Sequence, residues 1–157
     1  MAIIFLFARS SVNASDLKKD IFSAGIAMGS TSVLSAALEW TYTDLSFGCT
    51  LGWNGLFFSP GVSLQGKYYF RFADAAIFAG GGVLGTYFDV NHGYGKRLYF
   101  TVPFGFEWRL KDGLRLGLEC DWMWIYYWKD NFRDAGVKEF YNRDWVLVPG
   151  LYVKWDM

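Results

Sequence analysis

The sequence has few of the residues that build metal centres and nucleophilic sites. It has one histidine and two cysteines, and no CxxC or Cys/His cluster supports a zinc site. We expect no metal, no cofactor and no disulfide, because Cys49 and Cys120 fall on the apolar faces of different predicted strands. Lys+Arg and Asp+Glu both number 15, so the basic surplus that nucleic acid requires is absent. No apolar run reaches about 18 residues, which predicts that the sequence contains no transmembrane helix.

Aromatic residues and glycine are abundant instead. Aromatics make up 21% of the 157 residues, with 8 Trp, and there are 18 Gly. A soluble domain of this size rarely carries so much tryptophan. Aromatic girdles outside and small residues inside are typical of a β-barrel, and the length suits one domain with a real core.

The longest regular pattern runs from Lys111 to Trp128, KDGLRLGLECDWMWIYYW. After the turn residues Lys111, Asp112 and Gly113, every second position from Leu114 onward is apolar or aromatic. The alternate positions mix small residues with charges. Period two over this length predicts a β-strand longer than the five or six residues usual in soluble sheets. Lipid on one side and a tight polar lumen on the other would account for both faces.

Eight such segments predict eight strands, at residues 20–29, 33–43, 45–54, 60–72, 75–88, 97–110, 113–128 and 144–156. Tight turns at 43–44, 73–75 and 111–113 alternate with longer links at 54–59, 89–96 and 129–143, although the first link, 30–32, is short. Short turns on one side and long loops on the other are typical of outer-membrane barrels, and an even number of strands puts both termini on the short-turn side. Pro103 and Pro149 fall inside predicted strands, so we expect a bulge at each or a strand that starts late.

Turn length and face parity together predict the hairpin registers. They place a long charged side chain opposite a glycine at four points: Glu39 and Gly48, Lys67 and Gly81, Glu107 and Gly117, and Glu119 and Gly105. The interior of eight strands is just wide enough for side chains, and long residues opposite glycines fill it without clashing. The fifth segment is ambiguous because both of its faces are small or apolar; Phe78, Leu84 and Phe88 share one parity.

The direction of the apolar face separates a membrane barrel from a soluble, lipocalin-like one. All eight tryptophans fall on the apolar face: Trp40, Trp53, Trp108, Trp122, Trp124, Trp128, Trp145 and Trp155. Together with a dozen or more Phe, Leu and Tyr they cannot fit inside eight strands. Turned outward, they form two aromatic belts around an aliphatic band, so we predict that lipid surrounds the barrel.

This pattern resembles that of the small eight-stranded outer-membrane barrels of the OmpA/OmpX/OmpW type, over about residues 20–156. The last segment is similar to the assembly signal of such barrels, Gly-x-x-apolar-x-aromatic, at Gly150, Val153 and Trp155. It departs from that signal at Val148, where a polar residue is usual, and in the two residues that follow the aromatic one. The resemblance implies an assembly-machinery partner, a bacterial outer-membrane location, and outer-membrane lipid with lipopolysaccharide or its equivalent as surroundings.

Charged residues of both signs fall on the inward face. The predicted lumen network consists of Glu39, Lys67, Arg71, Glu107, Arg109, Arg115, Glu119, Asp121 and Lys154. A narrow lumen desolvates these charges, so they must pair or hydrogen-bond. Glu107 lies diagonal to Arg115 across its hairpin, which predicts an ion pair. We interpret the set as a structural polar plug; the alternative is a small-solute path gated by these pairs.

An enzymatic role has little support in the sequence. Some barrels of this size act on lipid A, and the deacylases among them use a His and a Ser two residues apart with an acidic partner. The single histidine, His92, is followed by Tyr94 at the position of that Ser. A base without its nucleophile is weak support, so we predict no catalytic residues. The link from Lys129 to Arg143 mixes both charge signs with aromatics, and it is a candidate contact site for a host or cell-surface partner.

The N-terminal residues have the pattern of an export signal. Ala2 to Ala8 form a continuous apolar run, and Val12-Asn13-Ala14 matches the small-x-small sites that leader peptidases cut. We interpret residues 1–14 as a truncated signal peptide and residues 15–157 as a single domain. The prediction is an all-β protein: a monomeric, eight-stranded antiparallel up-and-down transmembrane β-barrel with a structural or surface-interaction role. An OmpW-like conduit for small solutes is the second hypothesis, and a lipid A-modifying enzyme is the third.

Overall fold

The computed structural model describes residues 20–29, 32–54, 59–90, 93–130 and 145–157. The eight strands are β1 (Ile21–Gly29), β2 (Ser32–Tyr42), β3 (Leu45–Asn54), β4 (Ser59–Phe72), β5 (Ala75–Val90), β6 (Gly93–Arg109), β7 (Leu114–Asp130) and β8 (Trp145–Asp156), with a 3-10 turn at Lys111–Gly113. Each strand pairs antiparallel with the next, and β1 pairs with β8. The predicted closed up-and-down barrel is therefore confirmed. The interpretation of residues 1–14 lies outside the described residues.

The strand registers set the tilt and width of the barrel. A line of paired residues that starts at Trp145 on β8 passes through all the other strands and returns to β8 at Trp155, ten residues further along. This offset is the shear of the barrel, and with eight strands it closes round an interior that side chains fill. No helix in the described residues is long and apolar enough to cross a membrane.

Burial alternates along the strands as period two requires. On β2, Ser35, Ala37 and Glu39 are buried, whereas Leu38 and Trp40 between and beside them are exposed. The same alternation holds on the other strands, with most large apolar residues outward and mainly polar or small residues inward; the large side chains that lie inward include Tyr69, Phe78, Leu84, Met123 and Tyr152. The hydrophobic residues therefore cover the outside of the barrel, and the polar side chains form its interior.

Two of the three predicted hairpin registers are correct. The turn at Thr43–Asp44 pairs Tyr42 with Leu45 and Glu39 with Gly48. Thr43 adopts a positive φ of 55°, which lets the chain reverse over two residues. The three-residue turn after β6 likewise gives the predicted pairs of Glu107 with Gly117 and Glu119 with Gly105.

The predicted three-residue turn at 73–75 is wrong. The chain reverses over Ala73 and Asp74 alone, with a φ of 50° at Ala73. Lys67 consequently pairs with Gly80 and not with Gly81. The shift of one residue turns the even positions of β5 inward, so that Phe78, fully buried, is directed into the lumen.

Pro103 is accommodated without a change of register. The β5–β6 pairs on either side of it, Ala79 with Phe104 and Gly82 with Thr101, belong to the same register. The two pairs between them are missing from that ladder. Proline has no N–H to donate, so the strands stay aligned and lose ladder pairing locally.

Pro149 lies next to the last described pair of the β1–β8 ladder, Gly29 with Gly150, and it pairs with Cys120 of β7. A Cβ on Gly29 would lie 2.5 Å from the Pro149 carbonyl oxygen, so the backbone polar groups of residue 149 are directed to the β1 side. The missing N–H therefore removes nothing from the ladder with β7.

Neither register shift in the described strands falls at a proline. One falls between Leu98 and Tyr99 in the β6–β7 pairing, where Tyr126 is the extra residue. The other falls between Ala27 and Gly29 in the β1–β2 pairing. The expectation of a bulge or a late start at each proline is therefore wrong.

Adjacent glycines on β5 provide a test of the corrected register. A Cβ on Gly80 would collide with the carbonyl oxygen of Gly66, whereas a Cβ on Gly81 would meet nothing within 4 Å. We expect Gly80→Ala to lower the free energy of unfolding by about 1–3 kcal/mol, as overpacking does. Gly81→Ala should leave it unchanged or raise it by up to about 1 kcal/mol. Urea titration of both variants in detergent micelles measures this, and the opposite ranking would restore the register with Gly81 opposite Lys67.

Candidate functional site

The candidate site is the charged lumen in the half of the barrel near the tight turns. Its side chains come from the inward faces of five strands. They are Glu39 from β2, Lys67 and Tyr69 from β4, Glu107 from β6, Arg115, Glu119 and Asp121 from β7, and Tyr152, Lys154 and Asp156 from β8. Arg115 and Asp121 are both 0% exposed. Alternation explains this convergence, because inward positions of all strands share one narrow space.

Glu39 is the acceptor at the centre of the network. Lys154 donates from Nζ to Glu39 Oε2 at 2.8 Å, and Tyr69 donates its hydroxyl to Oε1 at 3.1 Å. The Thr41 hydroxyl lies 3.5 Å from the same Oε1. The Lys154 ammonium is also 3.8 Å from Glu107 Oε2, so it joins two carboxylates. A buried carboxylate with this many donors is stabilised in its charged form.

A second set of contacts connects Glu107 with the end of the chain. Arg115 lies 3.3 Å from Glu107 Oε1, and the Tyr152 hydroxyl donates to Oε2 at 2.9 Å. The other nitrogen of the Arg115 guanidinium, Nη2, is 2.5 Å from Asp156 Oδ1. Asp156 in turn receives a hydrogen bond from Arg109 at 3.3 Å. The predicted ion pair of Glu107 with Arg115 is therefore confirmed, and it extends through Asp156 to the rim.

The third set lies deeper in the lumen, toward the long links. The Lys67 ammonium forms an ion pair with Glu119. It also lies 4.8 Å from the centre of the Phe78 ring, a cation–π distance. Two residues further along each of these strands, the Gln65 amide donates a hydrogen bond to Asp121 at 3.2 Å. Ion pairs and hydrogen bonds between inward side chains are thus arranged one after another along the barrel axis.

Aromatic rings fill the space beside these charges. A Cβ on Gly117 would overlap the Tyr152 ring, and a Cβ on Gly105 would lie 2.6 Å from the Phe78 ring. These two glycines therefore make room for rings and not for the glutamates that pair with them across the ladder. Phe78 also contacts the Tyr69 ring at a centroid distance of 5.3 Å. The rings and the ion pairs together fill this half of the lumen.

Two members of the predicted network lie at its margin. Arg71 is 3.3 Å from Asp44 and 3.4 Å from the carbonyl oxygen of Thr43, at the rim formed by the tight turns. The Arg109 guanidinium lies 3.3 Å from Asp156 at the same rim. Both arginines are partly exposed, so their ion pairs are weak compared with the buried ones.

The sequence-based interpretation missed Asp156 and Phe78. Asp156 shares the parity of Lys154, which was a usable signal, but it was interpreted as a departure from the assembly signal. Phe78 was missed because the turn before β5 is one residue shorter than expected. Among the described residues, no group of three or more His, Cys, Asp and Glu side chains could hold a metal ion. His92 and most of the link from Lys129 to Arg143 lie outside the described residues.

The tryptophans lie on the outer face wherever their side chains are described. Trp124 is half-buried, and the exposed tryptophans are Trp40, Trp53, Trp108, Trp122, Trp145 and Trp155. The Trp128 side chain lies outside the described residues. Its backbone pairs with that of the inward residue Arg97, because the extra residue Tyr126 reverses the predicted parity there. Several contact outward aromatic neighbours, such as Trp122 with Trp124 at a centroid distance of 4.5 Å and an interplanar angle of 31°. A continuous aromatic and aliphatic surface therefore surrounds the polar lumen.

The residues of the predicted assembly signal lie in the strand that closes the barrel. Gly150 pairs with Gly29 and Trp155 with Ala24 of β1. Asp156, the next residue, is directed inward and reaches Arg115. The residue beyond the aromatic position thus has a structural role in this chain.

Comparison with solved structures supports the same architecture. The N-terminal β-barrel domain of Pseudomonas aeruginosa OprF is similar with a TM-score of 0.67 and 11% identity, over 89% of this chain and 98% of that one. Neisserial surface protein A (NspA) is similar with a TM-score of 0.50 and 10% identity, over 88% of this chain and 94% of that one. No protein-family model and no curated protein matches the sequence. The chain therefore has the fold of the small eight-stranded barrels of bacterial outer membranes, as the resemblance implied.

Removal of the Lys154 ammonium tests the energetic role of the network. Lys154→Met keeps an apolar side chain of similar length and leaves Glu39 and Glu107 without their shared cation. Breaking one side of a buried pair costs about 3–5 kcal/mol, so we expect the free energy of unfolding in micelles to fall by that amount. The double variant Glu39→Gln/Lys154→Met should recover much of the loss, because an amide still accepts from Tyr69.

The matched control for this experiment is Arg71→Met at the exposed rim. Loss of its pair with Asp44 should change the free energy of unfolding by about 0–1 kcal/mol. Equal effects of the two single substitutions would show that the central pairs do not stabilise the barrel more than surface pairs do.

Proposed function

We propose that this chain is a bacterial outer-membrane barrel with a charge-plugged lumen and a structural or surface-interaction role. The observation that carries the proposal is the inversion of polarity: buried ion pairs lie inside, and large apolar side chains cover the outside. Leu38 and Leu51, for example, are 62% and 61% exposed on the outer face. Water would penalise such a continuous apolar surface, whereas lipid hydrocarbon would not. The likeness to the OprF domain and NspA adds support for this location.

The filled lumen supports the structural role over a conduit. Lys154, Glu39, Glu107 and Arg115 are tied across the barrel by contacts of 2.8 to 3.8 Å. A solute would have to break buried pairs to pass this layer. The OmpW-like conduit therefore requires rearrangement of these pairs, and the lipid-modifying enzyme has no described group that supports it.

A surface-interaction role would use the links at the end of the barrel opposite the tight turns. Loops held by a rigid scaffold are the usual carriers of recognition. We include in this proposal a contact between the link from Lys129 to Arg143 and a host or cell-surface partner. We also propose that the chain is a monomer and that the barrel assembly machinery inserts it. The proposal includes no nucleic-acid partner and no cofactor.

Heat-dependent gel mobility tests the proposed membrane barrel most directly. A closed barrel has no free edge from which to unfold, so the refolded chain should keep a compact mobility in mild detergent and shift only after boiling. A chain that is folded and soluble without detergent, and shows no shift, would contradict the proposal.

Arginine substitutions on the outer face test whether lipid covers it. Leu38 lies in the middle of β2, and Leu45 lies beside the tight turn at the start of β3. In phospholipid vesicles we expect Leu38→Arg to lower the free energy of unfolding by about 2–4 kcal/mol and Leu45→Arg by about 0–1 kcal/mol, because the penalty depends on depth. Two small and equal changes would mean that water, and not lipid, contacts this face.

Planar-bilayer recording separates the plug from the conduit. We expect the wild-type chain to insert without producing steady single-channel current, because paired charges and rings fill one half of the lumen. Stable, reproducible openings of the wild type would favour the conduit hypothesis.

A further inference from the structure

One charged side chain lies on the outer face of the strands, among the side chains that the structure describes. It is Lys96 on β6, which is exposed and lies between the buried Gly95 and Arg97. Its ammonium is 5.8 Å from the centre of the Tyr87 ring on β5. A strongly hydrated ammonium is costly against hydrocarbon, so the level at which Lys96 lies decides its role.

The strand register gives that level. Phe100, Trp124 and Trp145 form one line of paired residues on the outer face, within the aromatic belt toward the long links. Lys96 lies four residues beyond Phe100 in the same direction, about 13 Å along the strand at about 3.3 Å per residue. With a strand tilt of about 40°, this places it about 10 Å further along the barrel axis. Since aromatic belts mark the edge of the hydrocarbon, Lys96 reaches the depth of lipid headgroups.

A second lysine occupies the neighbouring position. Lys129 of β7 is the direct register partner of Lys96. Like charges opposite each other across two strands are destabilising unless an anion lies between them. The position of Asp89 is diagonal to that of Lys96 in the register, through its pairing with Tyr94. The three positions retain one net positive charge, which favours an anionic ligand.

We propose that the positions of Lys96 and Lys129, with Tyr87 beside them, form a binding site for the phosphate of an anionic lipid. This site rests on the proposed function, because only a lipid-covered outer face brings headgroups to this level. An ammonium and a tyrosine at the aromatic boundary provide charge and hydrogen-bonding capacity for a phosphate, while the apolar surface below accepts acyl chains. The lipid belongs to the leaflet at the end of the barrel with the long links.

Native mass spectrometry of the refolded chain tests the site. The protein is mixed in detergent with equal amounts of phosphatidylglycerol and phosphatidylcholine that carry identical acyl chains, and the ratio of retained lipids is measured. One lysine at an anionic surface contributes about fivefold in affinity, so the wild type should retain the anionic lipid preferentially. Lys96→Gln/Lys129→Gln should bring the ratio close to one.

Lys111→Gln is the control for position, because it removes one lysine charge in the tight turn at the opposite end of the barrel. It should leave the ratio unchanged. Equal retention of both lipids by the wild type, or a preference that survives in the double variant, would overturn the proposal. Loss of the preference on addition of inorganic phosphate equimolar with the lipid would also overturn it, because the site would then bind a free anion.

The experiment distinguishes failure of this site from failure of the proposed function. A chain without the heat-dependent mobility shift is not a membrane barrel, and both proposals then fail. A chain that shows the shift but retains the two lipids equally contradicts the phosphate site alone.

Discussion

The width of the lumen is the constraint on which the rest of the structure depends. Eight strands with an offset of ten residues enclose an interior that is just wide enough for the inward side chains to fill it. Every inward position must therefore be complementary to what it meets, as the Tyr152 ring is to Gly117 and the Phe78 ring to Gly105. The same narrowness excludes water from Arg115 and Asp121. A wider barrel would leave such charges hydrated and would not require them to pair.

The pairing that narrowness requires also joins strands that share no ladder. Lys154 of β8 reaches Glu39 of β2, and Lys67 of β4 contacts Glu119 of β7 across the lumen. Backbone hydrogen bonds hold each strand to its two neighbours, whereas these contacts hold together strands that are not neighbours. Removal of one partner leaves the other buried without compensation, which is far more costly than the pair is favourable. The network therefore contributes more to the cooperativity of unfolding than to the free energy of unfolding.

Much of the fold could be predicted because period two allows only two choices for each strand. Where one face is apolar and the other polar, as on β2 and β7, turn length and parity were enough to give the register. They failed on β5, because Ala75 and the glycines after it make both faces equally acceptable. Nothing local distinguishes a two-residue turn at Ala73 and Asp74 from a three-residue one. The predicted register was wrong by one residue there, so it placed Phe78 on the outer face, whereas in the structure Phe78 lies in the lumen.

The sequence shows which residues belong to the site more readily than it shows which of them contact each other. Parity shows that Lys154 shares the inward face with Glu39, but it cannot show that the two side chains meet, because the shear decides which unpaired strands approach each other in the lumen. That quantity depends on all eight registers at once, and no single hairpin contains it. Asp156 was missed for a different reason, because its contact with Arg115 needs only the β7–β8 register, which the long link between these strands leaves open. As a residue after the assembly signal it has no explanation, whereas in the closed barrel its carboxylate is the counter-ion that Arg115 needs beyond Glu107.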